Sequence, residues 1–443
     1  MQKFVLKLGL LSAGVSLALP CFAAGNAPSI VGGPGQNATP QQDGSQVQQQ
    51  KSARTNKQGQ DKKASAVTLS TITINDDLTK GYQAEDVQVG AFRDQTNLDT
   101  PATVNVMTRD FMDSQNDVTL FDVLENSAGV TRTQTNGMSA DNLSIRGIDV
   151  QNRSNYLLNG TLPVNNLISM PTENLERIEV LKGASALYYG FTSPSGVVNM
   201  VTKRALAEPN LSVQTTMDQY GEFIGAVDAG TRFGDNRQFG VRFNAAGGSL
   251  GSFGIDGVHG NRSFESVAAD WDVTSRLHLS VDYENVLQSV NEQAIIKVPA
   301  AVGGVITLPR LPAYSNYLSA GPWAITRGNV QNGIGKAVYN ISDNWTAEID
   351  VGSAITNRTE RGLGTFTLTN PATGDGKLSM NMDQGQRYVN DNERAEITGL
   401  IPLGSITNEV IVGVERNDRY QNTALGDTQN SFAQNLYDPM QFA

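Results

Sequence analysis

The sequence predicts an α+β domain followed by a run of antiparallel β-strands. Three observations carry this. Between Tyr82 and Arg204, short β-prone runs alternate with a capped helix signal and Gly-punctuated turns. From about Leu206 onward, apolar and polar residues alternate with a period of two, segment after segment. No stretch beyond residue 24 holds eighteen continuous apolar residues, so no transmembrane helix is expected.

The α+β domain is organised around Asn174 to Arg204. Ile178 to Leu181 and Val197 to Val201 are short apolar runs, each read as a strand. Gly183, Gly190, Pro194 and Gly196 lie between them and permit tight reversals, so the glycines are read as structural. A phosphate loop is disfavoured, since Lys182 precedes its Gly where that motif needs Lys after it. Upstream, Thr103 to Thr108 reads as a strand. Thr119 with Asp122 three residues on caps a helix whose Leu120, Val123 and Leu124 share one face, with Gly129 as its stop. Val130 to Thr135 and Leu143 to Ile148 are expected to be further strands.

In the second half Phe239, Val241, Phe243 and Ala245 alternate with Gln238, Gly240, Arg242 and Asn244. Leu277, Leu279, Val281 and Tyr283 alternate with His278, Ser280, Asp282 and Glu284, and the pattern returns at Trp345 to Val351, Ala395 to Ile401 and Val410 to Val414. Such strands suit either a lipid-facing barrel with a wet lumen or a soluble β-sandwich. Gln288 to Val330, with Pro299, Pro309, Pro312 and Pro322, reads as an extended loop, and Leu363 to Gln386 as another.

The 443 residues carry a net charge of −11, or −13 once residues 1–24 with Lys3 and Lys7 are removed, so nucleic acid is a poor partner. Cys21 is the one cysteine and falls in that leader; His259 and His278 have no metal-ligand spacing. No cofactor, metal site or catalytic constellation is expected. Met1 to Ala24 has the layout of a secretory signal: Lys3 and Lys7, the apolar run Leu8 to Leu19, then Ala23 and Ala24. Residues 25–66 are polar, lack aromatic side chains and read as a disordered linker. Residues 67–77 then break out as a β-prone island, Val67 to Ile74, followed by Asn75-Asp76-Asp77.

Glu176-Arg177-Ile178-Glu179-Val180, Lys182-Gly183, Tyr189-Gly190, Gly196-Val197-Val198-Asn199 and Thr202-Lys203-Arg204 follow one another within about thirty residues. In that order they resemble the end of the plug domain of TonB-dependent outer-membrane receptors of the ferric-siderophore type. Ile145-Arg146-Gly147 is a second such signature. Tyr156 to Pro163 is similar to a third, with Asn159 in place of the usual Asp. The resemblance implies a plug over residues 78–205 and barrel strands over 206–443, in the outer membrane of a Gram-negative cell after export. It favours the barrel over the sandwich. It implies that Ser70, Thr71, Ile72, Thr73 and Ile74 form a TonB box, taken up by TonB and the inner-membrane energising complex. The cargo would be a ferric siderophore, with outer-membrane lipid around a monomer. Arg146 and Arg177 become candidates for locking plug to barrel. Arg153 and Tyr156 become candidate ligand contacts in apex loops that span Asn136 to Asn142, Gln151 to Tyr156 and Val164 to Met170. Gly147 joins Gly183, Gly190 and Gly196 as a structural glycine.

Plugged barrels of this kind have about 22 strands, and residues 206–443 hold about 11 at roughly 20 residues per strand with its connection. The expectation is therefore about half a barrel and a truncated chain, with the barrel partners of Arg146 and Arg177 lying beyond Ala443. The rival readings are a non-functional receptor fragment and a passive porin-like barrel.

Overall fold

The computed structural model describes residues 81–440, apart from residues 83, 85, 88, 91–94, 97–99, 135–138, 141, 184–185, 190–191, 252–257, 313–322, 405 and 424–426. The leader, the linker and Ser70 to Ile74 lie outside the described residues, as does Gly190.

Asp86–Val87 (β1) and Gln95–Thr96 (β2) pair antiparallel. Then come Thr103–Thr108 (β3), Arg109–Gln115 (α1), Leu120–Leu124 (α2), Val130–Gln134 (β4), Asn142–Ile145 (β5), Ile148–Asp149 (β6), Tyr156–Leu158 (β7), Leu162–Pro163 (β8), Leu175–Lys182 (β9), Ala186–Tyr189 (α3) and Gly196–Thr202 (β10). The central sheet has the order β3-β9-β10-β7-β8, with β10 and β7 parallel and the other pairs antiparallel. Alternation along β9 and β10 sends Ile178, Val180, Val198 and Met200 into one core with Met112, Leu120 and Phe121. Leu181 and Val197 enter a second core with Val87, Val89 and Val104. The Thr119–Asp122 capping box forms as the spacing predicts.

Two expectations for this domain change. Thr108 ends β3 and also caps α1, a helix that the sequence reading lacks; its hydroxyl accepts from Phe111 N at 3.3 Å. Leu143 to Ile148 is not one strand. Arg146 (φ 53°) and Gly147 (φ 77°) reverse the chain, so that Ile145 faces Ile148 across a two-residue hairpin turn.

The second half forms an eleven-stranded sheet: Asn210–Met217 (β11), Phe223–Phe233 (β12), Phe239–Gly251 (β13), His259–Asp272 (β14), Leu277–Asn291 (β15), Ile295–Lys297 (β16), Ile325–Ser342 (β17), Trp345–Leu368 (β18), Asp375–Leu403 (β19), Ile406–Asn422 (β20) and Asp427–Asn435 (β21). The main path runs antiparallel from β11 to β20 in chain order; β16 joins β18 in parallel, and β21 continues along β19 beyond β20. The loop expected over Gln288 to Val330 is shorter: its ends belong to β15 and β17, and the connection at 292–324 holds β16. The loop expected at Leu363 to Gln386 is instead strand on both sides of a tight turn at 369–374, with Leu368 opposite Gly376. Its dense Gly, Thr and Asn content mimics a loop, but Phe366, Leu368 and Leu378 alternate onto the inner face and pack with Leu436.

The alternation orients the sheet. Val281 is 56% exposed and its neighbour Asp282 is 5% exposed. Val241, Phe243, Val267, Ile349, Val351 and Ile397 share the outer face, whereas Arg242, Asn244, Asp350 and Glu396 are buried on the inner one. An apolar outer face and a polar inner one are the pattern of a lipid-spanning barrel wall. Aromatic residues gather beside the short turns. Phe239 stacks between Phe233 and Trp271 at centroid distances of 5.5 and 5.6 Å, and Trp345 covers Gly399 on the neighbouring strand. Aromatic clusters at strand ends are a feature of outer-membrane barrel walls.

Candidate functional site

The inner face of the sheet is polar because it meets the α+β domain, and that contact is the candidate functional site. It has two parts with different chemistry.

The first part is ionic and follows β10. Thr202, Lys203 and Arg204 leave the domain beside strands β12 to β15. Lys203 Nζ reaches Asp228 at 2.8 Å, and Arg242 clasps the same carboxylate through Nε and Nη2, each at 2.8 Å. Arg242 Nη1 also donates to the Arg204 carbonyl at 2.8 Å. Arg204 spreads its fork over two strands, to Asp270 at 3.3 Å and Asp282 at 2.6 Å, while Thr202 Oγ1 donates to Asp282 at 2.7 Å. Burial holds the Lys203 ammonium below the usual lysine range, opposed by the Asp228 carboxylate. Above these, Asn174 Nδ2 and Asn332 Nδ2 donate to the two oxygens of Glu284 at 2.8 and 2.7 Å. Arg262 pairs with Glu173 and donates to the Val118 carbonyl at 2.9 Å.

The second part is built from amides. Asn390 Nδ2 donates to the carbonyls of Pro163 (3.0 Å) and Arg153 (3.2 Å), and Asn392 Nδ2 to that of Thr161 (3.0 Å). Asn165 Nδ2 reaches the Ala354 carbonyl at 3.4 Å. Tyr188 OH donates to Glu396 at 3.2 Å beneath the Arg394 guanidinium, which lies 4.4 Å from the ring centroid. Ile168, in the loop Val164 to Met170, packs with Ile224, Leu250, Phe264, Val286, Val290 and Val330 of the sheet.

The residues singled out from the sequence fall variously. Arg177 is not unpartnered. Its Nε pairs with Glu179 at 2.8 Å inside the domain; Asn199 Nδ2 donates to the other Glu179 oxygen at 3.0 Å, and Asn199 accepts from Gly160 N at 2.8 Å. Arg146 donates to Thr103 Oγ1 at 3.1 Å. Burial and the nearby Arg146 charge push the Lys182 ammonium down. Arg153 reaches the sheet, donating to Gln421 and, at 3.4 Å, to the Tyr420 carbonyl. Tyr156 is 0% exposed in the domain core, so it offers no face to a ligand; the three-residue strand β7 is buried on both sides. Asn159 (φ 50°) accepts from Thr202 N and Oγ1 at 3.0 and 3.1 Å, which an Asp there would also do. Gly147 and Gly183 have φ of +77° and +104°, and Gly196 has φ +134° with backbone close by.

The sequence reading missed Lys203, Arg204, Asp228, Asp270, Asp282, Glu284, Glu173 and Arg262. Their signal was present: a basic pair closing the domain, and carboxylates at the inward positions of alternating strands. Among the described residues no group of three or more His, Cys, Asp or Glu side chains is arranged to hold a metal ion.

A small α+β stopper tied by charges and amides to the polar face of a sheet whose other face is apolar has the arrangement of a plug domain against part of a barrel wall. Residues 96–197 match the family model of the TonB-dependent receptor plug domain. The chain is 30% identical over 373 residues to the ferrichrome receptor FcuA of Yersinia enterocolitica, covering 81% of this chain and 46% of that one. It is 28% identical over 223 residues to the catecholate siderophore receptor Fiu of Escherichia coli K12, covering 49% and 27%. The crystal structure of BauA, the ferric preacinetobactin receptor of Acinetobacter baumannii, superposes with a TM-score of 0.70 at 24% identity, covering 81% of this chain and 53% of that one. The plug domain is that of the TonB-dependent receptors, and over 81% of its length the chain is similar to a siderophore receptor. It spans about half the length, or less, of the relatives it matches.

Proposed function

We propose that the chain serves energised uptake of a ferric siderophore across the outer membrane. The observation that carries this reading is the anchorage of Thr202, Lys203 and Arg204. The plug is fixed to the barrel wall where the chain passes from one to the other, by ion pairs to Asp228, Asp270 and Asp282. A stopper so fixed can be rearranged from its N-terminal side without leaving the barrel. That side carries Ser70 to Ile74, a β-prone segment behind a polar tether, suited to adding as a strand to the sheet edge of TonB. TonB, driven by the inner-membrane complex, then does the work. Arg177 acts in this cycle by holding β9, β10 and the Asn159–Gly160 turn as one unit through Glu179 and Asn199. Arg146 acts at the neighbouring β5–β6 turn.

The test is growth of an iron-starved, receptor-deficient Gram-negative strain on a panel of ferric siderophores. Expression of this chain should restore growth on one or more of them. Deleting residues 70–74, or removing TonB, should abolish it. Growth that persists without TonB, or a steady ion leak from liposomes carrying the chain, would instead mean a passive pore.

A further inference from the structure

We infer that the cavity between α1 of the plug and the first strands of the sheet binds a small primary ammonium ion, with Asp117 as its counter-charge. The inference goes beyond the uptake reading and does not depend on it.

The cavity measures about 240 Å³, room for a small organic ion with a few waters. The plug lines it with Met112, Asn116 and Asp117, and β11 lines it with Ser212, Gln214 and Thr216. These three β11 residues alternate with Leu211, Val213 and Met217, which are exposed. Asp117 is placed by the end of α1. Asn116 takes the left-handed conformation (φ 56°), and Asp117 N donates back to the Met112 carbonyl at 3.1 Å. Thr172 Oγ1 donates to the Asp117 carbonyl at 2.7 Å. The backbone of Asp117 is thus fixed from two sides, and the residue is only 9% exposed.

The charge balance points to a cation. Asp113, Asp228 and Glu173 also line the cavity, but each is matched. Asp113 lies on Arg109 at 2.7 Å, Asp228 on Lys203 and Arg242 at 2.8 Å each, and Glu173 on Arg262. Asp117 has no base at ion-pair distance among the described residues, and its Oδ2 has no hydrogen-bond partner among them. Arg109, the cation that acts on it, is already held by Asp113 and by the carbonyls of Thr172 and Leu175. Burial pushes the Asp117 carboxyl up to about 7, and the charges of Asp122 and Glu125 add to this. A buried carboxylate in that position is costly unless a cation completes it.

The acceptors select the kind of cation. Among the described residues no three His, Cys, Asp or Glu side chains are arranged to hold a metal ion. An ammonium group brings three N–H donors. One carboxylate with the side-chain oxygens of Ser212, Gln214 and Thr216 offers them acceptors without a second negative charge. A quaternary ammonium carries the same charge but no N–H, so it cannot use them. An ion bound here would touch plug and sheet together and hold them to each other.

The experiment uses the full chain in detergent micelles. Methylammonium and ethylammonium are the probes; tetramethylammonium and sodium at matched ionic strength are the controls. Saturation-transfer NMR reads weak binding directly, and thermal unfolding reads its linkage to stability. Both primary ammonium ions should show transfer and raise the melting temperature saturably. Tetramethylammonium should do neither, and sodium should leave the melting temperature unchanged. Binding should weaken as pH falls through about 7 and Asp117 takes up its proton. D117N keeps the shape, removes the charge and should weaken binding about tenfold. Q214E adds a carboxylate on the sheet side of the cavity and should tighten binding, which a merely structural disturbance does not do. Equal effects from tetramethylammonium or sodium, unaltered affinity in D117N, no tightening in Q214E, or no transfer to either primary ion overturns the inference. Each of these results leaves the uptake reading standing.

Discussion

The Arg204 guanidinium meets the Asp282 carboxylate at 2.6 Å, tying the end of the plug's closing strand to the fifth strand of the sheet. Thr202 fills the other oxygen at 2.7 Å, and Asp270 takes a second arm of the same guanidinium. Asp282 is buried and Arg204 partly so, so removing the carboxylate leaves a poorly solvated cation instead of merely deleting a contact. Asp282→Ala should cost about 3 kcal/mol, at the lower end for a buried pair because Asp270 remains. Denaturant unfolding gives the loss directly. Limited proteolysis should show faster cleavage in residues 205–209, where the plug joins the sheet.

Asp117 gives the plug a pH dependence. It follows α1, is buried, and its Oδ2 has no hydrogen-bond partner among the described residues. Burial pushes its carboxyl up to about 7; the negative charges of Asp122 and Glu125 add to this, and Arg109 opposes it. Below the ordinary value of 3.8 both folded and unfolded chains hold the proton, and the group costs nothing. As pH rises the unfolded chain sheds it first, so stability falls until the folded carboxyl ionises near 7. Asp117→Asn should remove this slope and stabilise the plug above pH 7 by on the order of 2 kcal/mol, allowing for solvent screening. Melting curves between pH 4 and 8, in steps of about one unit, will check it; a parallel fall in the variant would exclude Asp117 as the source.

Two glycines with positive φ separate conformational strain from crowding. At Gly196 (φ +134°) an added Cβ meets the Leu181 carbonyl oxygen at 2.2 Å, inside the β9–β10 pairing. At Gly147 (φ +77°) it meets nothing within 4 Å. Gly147→Ala should therefore cost about 1 kcal/mol, the price of the left-handed conformation alone. Gly196→Ala adds a backbone collision to that strain and should lose at least about 3 kcal/mol. Thermal unfolding of the pair, side by side, distinguishes these costs; equal losses would mean that β9 and β10 are not in this register.

The parts of this fold that were legible in the sequence are those decided locally. The two apolar runs of β9 and β10, the Thr119–Asp122 box and the two-residue alternation of β13, β15 and β18 all depend on near neighbours. Helix α1 was hidden because Thr108 serves both β3 and the cap, and because Phe111 and Met112 are the only apolar residues in its length. The Arg146–Gly147 turn was hidden because Arg rarely takes positive φ, so Leu143 to Ile148 looked continuous. The site suffered most. Lys203 and Asp228, or Arg204 and Asp282, are brought together by the order of strands across the sheet, which no local pattern encodes. Tyr156 illustrates the opposite error: a tyrosine in a loop-rich stretch suggested a ligand contact, whereas a central strand buries it.

Outer-face residues test the membrane reading most directly. Val281 and Ile349 are exposed and apolar at outward positions, each between residues whose side chains turn inward. In water such a surface would be a liability, and in hydrocarbon it is the favoured one. Val281→Arg and Ile349→Arg should each oppose assembly by about 2–4 kcal/mol if these positions lie near mid-bilayer. Leu311→Arg is the control. It is 87% exposed in the long 292–324 connection, away from the alternating band, and should change little. The readout is the share of protein recovered in the outer-membrane fraction and resistant to urea extraction. If both strand variants fractionate like Leu311→Arg, or if all three extract without detergent, the outer face does not contact lipid, because an arginine there would then have been exposed to water from the start.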